Sequence, residues 1–384
     1  MTSDVTSDKM TAICNLQSRI NQGRIPMFRR MAIILLTALL AACGTSAPAS
    51  APTPSTGSGQ SAAPDAPTAA SAPTAAVSQT LREITVAMPY IPNVQFAQFY
   101  LADKKGYYAA EGLKIKFDYN FETDVIQRIA QGTVQFGMGS GDSILLARAQ
   151  GLPVVTVATN NQRFPTVFFS KVEANIKTPA DLKGKSVGIP GHFGASYIGL
   201  LAMLYANKIK ESELNIQDIG FAQVAALSAG KVQVASGYGN NEPLQLDQQG
   251  IKVNVINVAD FYPLASDGIV TSEAQIKDQA AIVHGFVRAT LKGVQDVIAN
   301  PDEGFQAALD VIPELKSADA KTQDLQRKVL QATLPYWQSD LTKQQGVGFS
   351  DIKSWQATHT FLRDSGLLKS DVDLSKAFTN DFIK

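Results

Sequence analysis

The feature that most constrains the fold is a change in the spacing of apolar residues within residues 84–117. Apolar residues alternate over residues 84–88, as in a half-buried strand. Two prolines then interrupt regular structure, and Asn93 stands where a helix would begin. Residues 94–108 have apolar positions at helical spacing, and a second alternation follows. We therefore predict a strand–helix–strand unit. Such units bind ligands at the carboxyl end of the first strand, so residues 90–98 should face a crevice.

A weak internal repeat extends this prediction to the rest of the chain. Three segments match later segments in the same order, at an offset of about one hundred residues. The pairs are residues 87–89 with 188–190, 129–136 with 227–234, and 151–155 with 250–254. General α/β sequence patterns could produce any one match by chance, but three in order favour two similar α/β lobes.

The repeat suggests where each lobe begins and ends. We predict that lobe 1 comprises residues 81–170 and 268–384, and that lobe 2 comprises residues 171–267. Extended crossovers at the ends of lobe 2 would form a hinge, and a cleft between hinged lobes is a favoured small-molecule site. The pattern after Thr271 is helical, and this tail is expected to pack around lobe 1. The predicted fold class is therefore α/β with two lobes, hinge crossovers and a helical C-terminal tail.

The N-terminal residues carry the pattern of a processed export signal. Residues 1–42 are interpreted as a signal peptide with an over-long start, and Met27 or Met31 is the expected initiator. A short apolar run ends in Leu-Ala-Ala before Cys43, which resembles a bacterial lipoprotein signal with Cys43 as the lipidated residue. The alternative is a signal peptide with an incidental cysteine. Residues 43–80, rich in Ala, Ser, Thr and Pro, are expected to form a flexible tether from the lipid anchor.

Motifs for catalysis or nucleic-acid binding are missing from the sequence. The formal net charge is zero and no long basic run occurs, which argues against a nucleic-acid partner. The three histidines have no metal-ligand spacing, and cleavage before Cys43 would leave no other cysteine in the mature chain. No nucleophile, phosphate-loop or zinc-protease motif is found. We therefore expect no enzyme activity, no cofactor and no metal. The glycine-rich residues 137–142 are interpreted as a loop that lets backbone approach a ligand.

Aromatic, amide and carboxylate side chains gather at the predicted strand ends. This mixture suits a flat, largely uncharged heterocycle, with rings covering its faces and amides hydrogen-bonded to its edge. Loop tips are rich in such residues in any protein, so each position is a candidate only. Tyr197, Tyr238 and Glu242 rank highest because each follows a glycine-rich turn. The candidate ligand contacts are Tyr90, Asn93, Gln95, Asp142, Asn161, Phe164, Phe193, Ser196, Tyr197, Tyr238, Asn241, Glu242 and Asp267.

Several motifs resemble substrate-binding proteins of ABC importers, in the branch related to the thiamine-pyrimidine-precursor synthase. The motifs lie at residues 92–94, 99–102, 105–108, 111–113, 181–188, 191–196 and 378–382. The resemblance implies a type II periplasmic-binding-protein fold whose lobes close on a ligand. It also implies a monomer, anchored by lipid on the extracytoplasmic face of the cell membrane, that delivers its ligand to a permease with a cytoplasmic ATPase.

Within this branch the ligand and the activity differ between members. The synthases carry a cysteine-rich signature and consume a histidine, and the absence of cysteine from the mature lobes argues against catalysis. The chain is similar to the riboflavin-binding members, which favours riboflavin over a thiamine pyrimidine precursor.

The resemblance also suggests roles for the candidate contacts. For an isoalloxazine, the ring faces would be covered by Tyr90, Phe164, Phe193, Tyr197 and Tyr238, and the edge bound by Asn93, Gln95, Asn161 and Asn241. Glu242 or Asp267 could bind an amino-substituted pyrimidine instead. An anchored sensor or adhesion module without transport stays a further alternative.

Overall fold

Two five-stranded sheets organise the protein, as seen in a computed structural model that describes residues 80–384. The predicted export signal, the predicted lipidation site Cys43 and nearly all of the predicted tether lie outside the described residues. The first sheet contains β1 (Arg82–Met88), β2 (Leu113–Tyr119), β3 (Phe136–Ser140), β4 (Val154–Thr159) and β10 (Asp267–Ser272). The second sheet contains β5 (Thr166–Lys171), β6 (Ser186–Ile189), β7 (Asn215–Asp218), β8 (Val234–Tyr238) and β9 (Val253–Asn257).

The two sheets have the same strand order. It is β2-β1-β3-β10-β4 in the first and β7-β6-β8-β5-β9 in the second. In each sheet the fourth strand is antiparallel to its neighbours. In the sequence, each of these two strands follows a strand of the other sheet: β5 follows β4, and β10 follows β9. The predicted two-lobed α/β architecture is thus confirmed. The segments expected to be crossovers are full strands, with residues 166–170 in the second sheet and 268–271 in the first. The residue limits of the lobes stay predictions.

Helices occupy much of the remaining chain. Those before β5 are α1 (Ala97–Lys104), α2 (Tyr107–Ala110), α3 (Glu122–Ala130) and α4 (Gly141–Ala149). Those between β6 and β9 are α5 (Gly194–Ala206), α6 (Gln223–Ser228) and α7 (Glu242–Gln248). The tail contains α8 (Glu273–Asp278), α9 (Ala280–Ala299), α10 (Pro301–Val311), α11 (Pro313–Lys316), α12 (Ala320–Thr333), α13 (Asp340–Gln345) and α14 (Ile352–Asp364). No helix within residues 80–384 is both long and apolar enough to cross a membrane.

The predicted strand–helix–strand unit is present. Strand β1 pairs in parallel with β2 along its whole length. Between them, Asn93 Oδ1 accepts a hydrogen bond from Gln95 N at 3.0 Å and caps a short 3-10 helix that leads into α1. Helix α1 ends at Lys104, earlier than the spacing predicts, because Gly106 has a φ of 72° and turns the chain into α2. The unit therefore places residues 90–98 at the carboxyl edge of the first sheet.

The internal repeat corresponds to the same helix–turn–strand arrangement in both lobes. Helix α3 is followed by Gly132 with a φ of 72° and then β3, while α6 is followed by Gly230 with a φ of 70° and then β8. Left-handed backbone of this kind favours glycine.

The glycine-rich residues 137–142 do not form the predicted loop, since the first four are part of β3 and the last two begin α4. A Cβ on Gly137 would lie 2.6 Å from Val125, so this glycine lets α3 pack closely on the sheet.

The C-terminal tail packs mainly on the first lobe. Helices α9 and α10 contact α1, and their apolar residues share a core with β1 and β3. Within this core the Phe136 and Phe286 rings stack with centroids 4.0 Å apart. Helix α12 also reaches α7 of the second lobe. A second core, formed around α4, α5 and α14, contains apolar residues of both lobes. We call this second core the interlobe core.

Candidate functional site

A cavity lies between the carboxyl ends of the strands of the two sheets. Its empty volume is about 1010 Å³, counted out to its opening to solvent. Both lobes and the C-terminal tail line it, with aromatic rings, amides and carboxylates. Its position is the one that the predicted strand ends indicate.

Nine of the thirteen predicted contacts line this cavity. They are Tyr90, Gln95, Asn161, Phe193, Ser196, Tyr238, Asn241, Glu242 and Asp267. They come from seven different strand ends or helix starts in both lobes. The fold therefore brings together residues separated by up to 177 positions in the sequence. Whether they touch a ligand stays a prediction.

The other four predicted residues lie outside the cavity lining. Asn93 caps the 3-10 helix and holds Gln95. Phe164 is buried in the interlobe core. Tyr197 donates a hydrogen bond to Glu211 at 2.9 Å and does not line the cavity, although its neighbour Ser196 does. Asp142 is buried in the first turn of α4, behind the cavity wall.

Glu122 forms the acidic part of the first-lobe wall. It is the first residue of α3, and its Oε1 accepts hydrogen bonds from Ser140 N at 2.5 Å and from Ser140 Oγ at 2.6 Å. The fully buried Asp142 lies close by. Burial raises the pKa of the Asp142 carboxyl, and the nearby Glu122 charge raises it further, to about 8. The Asp142 carboxyl can therefore keep its proton near neutral pH.

Asp267 links the start of β10 to the chain that follows the edge strand β4, at the cavity edge. Its Oδ1 accepts a hydrogen bond from Asn161 Nδ2 at 2.7 Å, and its Oδ2 accepts one from Asn160 Nδ2 at 3.1 Å. Burial raises the pKa of this carboxyl, while the two amides lower it. The amides therefore hold the carboxylate in one orientation against the cavity.

Glu242 is the carboxyl of the second-lobe wall. It begins α7, and its Oε2 accepts a hydrogen bond from Tyr238 N at 2.8 Å while its Oε1 accepts one from Asn241 Nδ2 at 3.1 Å. Burial raises the pKa of Glu242 to about 7 and outweighs these hydrogen bonds, which lower it. The carboxyl can therefore exchange a proton near neutral pH.

Aromatic rings of the two lobes meet at the cavity wall. The Phe121 ring of the first lobe stacks on Phe221 of the second, with centroids 5.2 Å apart and planes at 23°. Phe121 also contacts Phe193 edge-on at 5.6 Å, and Tyr90 contacts Phe221 edge-on at 4.9 Å. All four rings line the cavity, so the same rings join the lobes and offer apolar surface to a ligand.

Sequence reasoning missed several residues of this lining. The main ones are Phe121, Glu122, Phe221, Gln223, Thr333 and Trp337. The internal repeat could have found one pair, because Phe121 and Phe221 follow the corresponding strands β2 and β7 at the repeat offset. Trp337 is interpreted from its helical surroundings as a packing residue, and no local pattern indicates that it also reaches the cavity.

The two lobes give this chain the fold seen in solved ligand-binding proteins. A ligand binding component of an ABC-type import system from Staphylococcus aureus superposes with a TM-score of 0.59 at 13% identity, over 79% of this chain and 98% of that chain. The alkanesulfonate-binding protein SsuA from Xanthomonas axonopodis pv. citri gives 0.59 at 15% identity, over 77% and 98%. These likenesses confirm the predicted two-lobed fold.

The chain belongs to the family described as NMT1/THI5 like, whose profile matches residues 93–304. A riboflavin-binding protein, RibY, of Chloroflexus aurantiacus is 50% identical over 353 residues, which cover 91% of this chain and 96% of the relative. A formylaminopyrimidine-binding protein of Halalkalibacterium halodurans is 28% identical over 307 residues, covering 79% and 91%. The branch indicated by the sequence motifs is thereby confirmed.

Relatives named as enzymes are more distant. A 4-amino-5-hydroxymethyl-2-methylpyrimidine phosphate synthase of Legionella pneumophila is 23% identical over 314 residues, covering 80% of this chain and 94% of the relative. The relative at 50% identity is a binding protein, and the solved structures described above are binding proteins as well. The chain therefore groups with binding proteins and not with enzymes.

Proposed function

We propose that this protein captures riboflavin in the interlobe cavity and delivers it to a membrane permease. The observation that carries the proposal is a cavity between two lobes, lined by rings and by buried amide and carboxyl groups. A relative of 50% identity that is named a riboflavin-binding protein supports the choice of ligand. The protein would bind this vitamin without altering it.

The lining offers surfaces that match the isoalloxazine ring system. Its broad apolar faces would pack on rings such as Tyr90, Phe193 and Tyr238, which gain both burial and favourable ring contacts. Its uracil-like edge presents carbonyl oxygens and an N–H, which would be bound by amides such as Gln95 and Asn241. The aromatic contacts between the lobes close the cavity around such a ring.

The proposed location follows from the N-terminal sequence. Cys43 would carry the lipid, and the tether up to residue 80 would hold the folded lobes at the extracytoplasmic face of the cell membrane. A permease in the same membrane, driven by a cytoplasmic ATPase, would receive the ligand from a monomeric binding protein. Replacing Cys43 by Ser should move the protein from the membrane fraction to the soluble fraction. An unchanged distribution would contradict the lipid anchor.

Riboflavin titration tests the ligand directly. The full-length protein is purified, unfolded to release any co-purified ligand, refolded, and titrated with riboflavin while the flavin fluorescence is recorded. We expect saturable quenching at micromolar flavin, since ring stacking and exclusion of water quench the excited flavin. Absence of quenching, together with absence of binding by calorimetry, would reject riboflavin as the ligand.

A thiamine pyrimidine precursor is the second candidate. It is favoured by the three carboxyls that line the cavity, Glu122, Glu242 and Asp267, because an amino-substituted pyrimidine offers N–H donors to such groups. The relative at 28% identity is named for a formylaminopyrimidine. Competition separates the candidates: an aminopyrimidine that displaces riboflavin only at high excess supports riboflavin, and tight binding of the aminopyrimidine alone supports the alternative.

A further inference from the structure

Two buried polar atoms belong to side chains of the cavity wall and have no hydrogen-bond partner within residues 80–384. They are Nε1 of Trp337 and Oδ1 of Asn240. Trp337 is 0% exposed and Asn240 is 2% exposed, so both atoms are shielded from bulk solvent. A buried polar group without a partner destabilises a protein, and such groups in native proteins commonly mark a function. In a binding cavity the missing partner is a group of the ligand.

The orientation of the Asn240 amide is fixed by hydrogen bonds that end in backbone groups. Asn240 Nδ2 donates to Thr333 Oγ1 at 2.7 Å, and this hydroxyl donates to Val329 O at 2.8 Å. Asn240 Nδ2 also donates to Gln95 Oε1 at 2.9 Å. Gln95 Nε2 in turn donates to Asn93 Oδ1, which accepts from Gln95 N as well.

This series of bonds has only one possible direction. The carbonyl of Val329 can only accept, and the backbone N–H of Gln95 can only donate. Turning over the Asn240 amide would place its oxygen against the Gln95 oxygen and lose the bond. Asn240 therefore presents a fixed acceptor, Oδ1, and not a donor.

Trp337 presents a donor in the same cavity wall. It lies four residues after Thr333, at the end of the short helix Leu334–Trp337 that continues α12. Its ring is packed in the core of the first lobe, so the position of the indole is set by its surroundings. An indole nitrogen donates one hydrogen bond and cannot accept one.

We propose that Asn240 Oδ1 and Trp337 Nε1 together bind the edge of the ring system of the ligand. Asn240 accepts a hydrogen bond from a ring N–H, and Trp337 donates one to a ring carbonyl. This inference rests on the proposed function and assigns its specificity to two atoms. The ligand class is a heterocycle with an N–H beside a carbonyl, as in the imide edge of an isoalloxazine.

A sugar-like hydroxyl chain fits these two atoms less well. A hydroxyl rotates and can donate or accept, so it does not require a donor and an acceptor of fixed orientation. A flat ring, by contrast, carries its N–H and carbonyl at fixed positions. Preorganised partners favour a rigid ligand because little freedom is lost on binding. A ring that lacks one of the two groups leaves a buried atom unpaired, and this is the kind of mismatch that proteins reject most strongly.

The two tryptophans of the chain provide a matched test for the donor. Trp337→Phe keeps an aromatic ring but removes the N–H, while Trp355→Phe makes the same change at a residue that is 1% exposed and outside the cavity lining. We expect Trp337→Phe to weaken riboflavin binding about tenfold, as for one buried hydrogen bond, and Trp355→Phe to leave it unchanged. Circular dichroism and thermal unfolding show whether both variants fold. Equal riboflavin affinity in the two folded variants overturns the role of Trp337.

A ligand analogue tests the acceptor when its binding is compared between the wild-type protein and an Asn240 variant. Riboflavin methylated at the imide nitrogen lacks the ring N–H, and we expect the wild-type protein to bind it about tenfold more weakly than riboflavin. In Asn240→Ala the two flavins should bind with similar affinity, because the partner of that N–H is gone. The same loss on methylation in both proteins overturns the role of Asn240. If the wild-type protein binds neither flavin, the proposed function itself fails, and this inference with it.

Discussion

The lobes meet around the cavity and in the interlobe core, and these two contacts are built from different side chains. In the interlobe core, apolar residues of α4, α5 and α14 form one continuous cluster. Around the cavity, the lobes contact each other through aromatic rings that are partly exposed or exposed to solvent. They also contact each other through hydrogen bonds between amides, such as that from Asn240 to Gln95. The first kind of contact gains free energy only while water is excluded. The second can be exchanged for contacts with water at little cost.

This difference indicates which contact moves when ligand enters. Opening the interlobe core would expose a large apolar area, whereas separating the lobes at the cavity would expose a few rings and restore hydration to buried carboxyls. We infer that the lobes open at the cavity and stay joined at the interlobe core. Substitutions in the interlobe core should then change stability, and substitutions at the cavity should change binding and its pH dependence.

The strongest test of this separation is Trp355→Ala in the interlobe core. Trp355 is fully buried and stacks on Phe378 with centroids 4.9 Å apart and planes at 16°. Removing the indole leaves a cavity, so we expect the free energy of unfolding to fall by about 3–5 kcal/mol, as measured by urea unfolding. Riboflavin affinity of the folded fraction should stay within about twofold of wild type. A large loss of affinity without loss of stability would show that the interlobe core takes part in binding.

The cavity should have its own signature in the pH dependence of stability. Burial raises the pKa of Glu242 from 4.5 to about 7 in the folded protein. Between these values the folded state binds more protons than the unfolded state, so stability decreases as pH rises. The contribution is complete below about pH 4.5, is lost as pH passes about 7, and is on the order of 3 kcal/mol. The free energy of unfolding without flavin should therefore decline across this window.

Glu242→Gln is the control for this decline. The amide keeps the shape of the side chain but does not titrate, so the variant should lose part of the pH dependence and gain stability relative to wild type at higher pH. Asp142 and Asp267, whose pKa values burial also raises, would keep contributing in the same direction. Parallel pH profiles for wild type and Glu242→Gln would mean that Glu242 stays ionised in the folded protein.

The contrast between the two contacts also explains what could be predicted from the sequence. The fold follows from patterns that are local, such as the alternation before Met88 and the glycine turns after α3 and α6. The matching strand order of the two sheets follows from the repeat of those patterns. Strand ends indicate the cavity edge, which is why most of the predicted contacts line it.

Local patterns do not indicate the direction of single side chains. Tyr197 and Ser196 are neighbours on the first turn of α5, but only Ser196 lines the cavity, since a helix turns about 100° per residue. Phe164 follows β4 in the sequence yet packs into the interlobe core. Trp337 comes from a tail helix more than two hundred residues after the first strand. Its position in the cavity wall depends on how the tail packs on the lobes, and the local spacing of residues in the sequence does not predict that packing.

The smallest expected effect concerns the rings that join the lobes at the cavity. Phe121→Ala removes the stacking on Phe221 and the edge contact with Phe193, which is worth about 1 kcal/mol for rings of this exposure. These contacts form only when the lobes approach each other, so their loss should mainly speed the release of riboflavin, by about fivefold, as measured by stopped-flow flavin fluorescence. Stability should change little, because Phe121 is 42% exposed and lies outside the interlobe core.

Phe261→Ala is the matched control, because Phe261 is 37% exposed and lies outside the cavity lining. It should leave the release rate unchanged. If Phe121→Ala slows association instead and leaves release unchanged, the rings guide entry of the flavin and do not hold the lobes together. Equal release rates for both variants and wild type would place the holding interaction elsewhere, in the amide contacts from Asn240 to Gln95 and Thr333. Either outcome would assign closure to polar contacts, and the cavity would then close by hydrogen bonding alone.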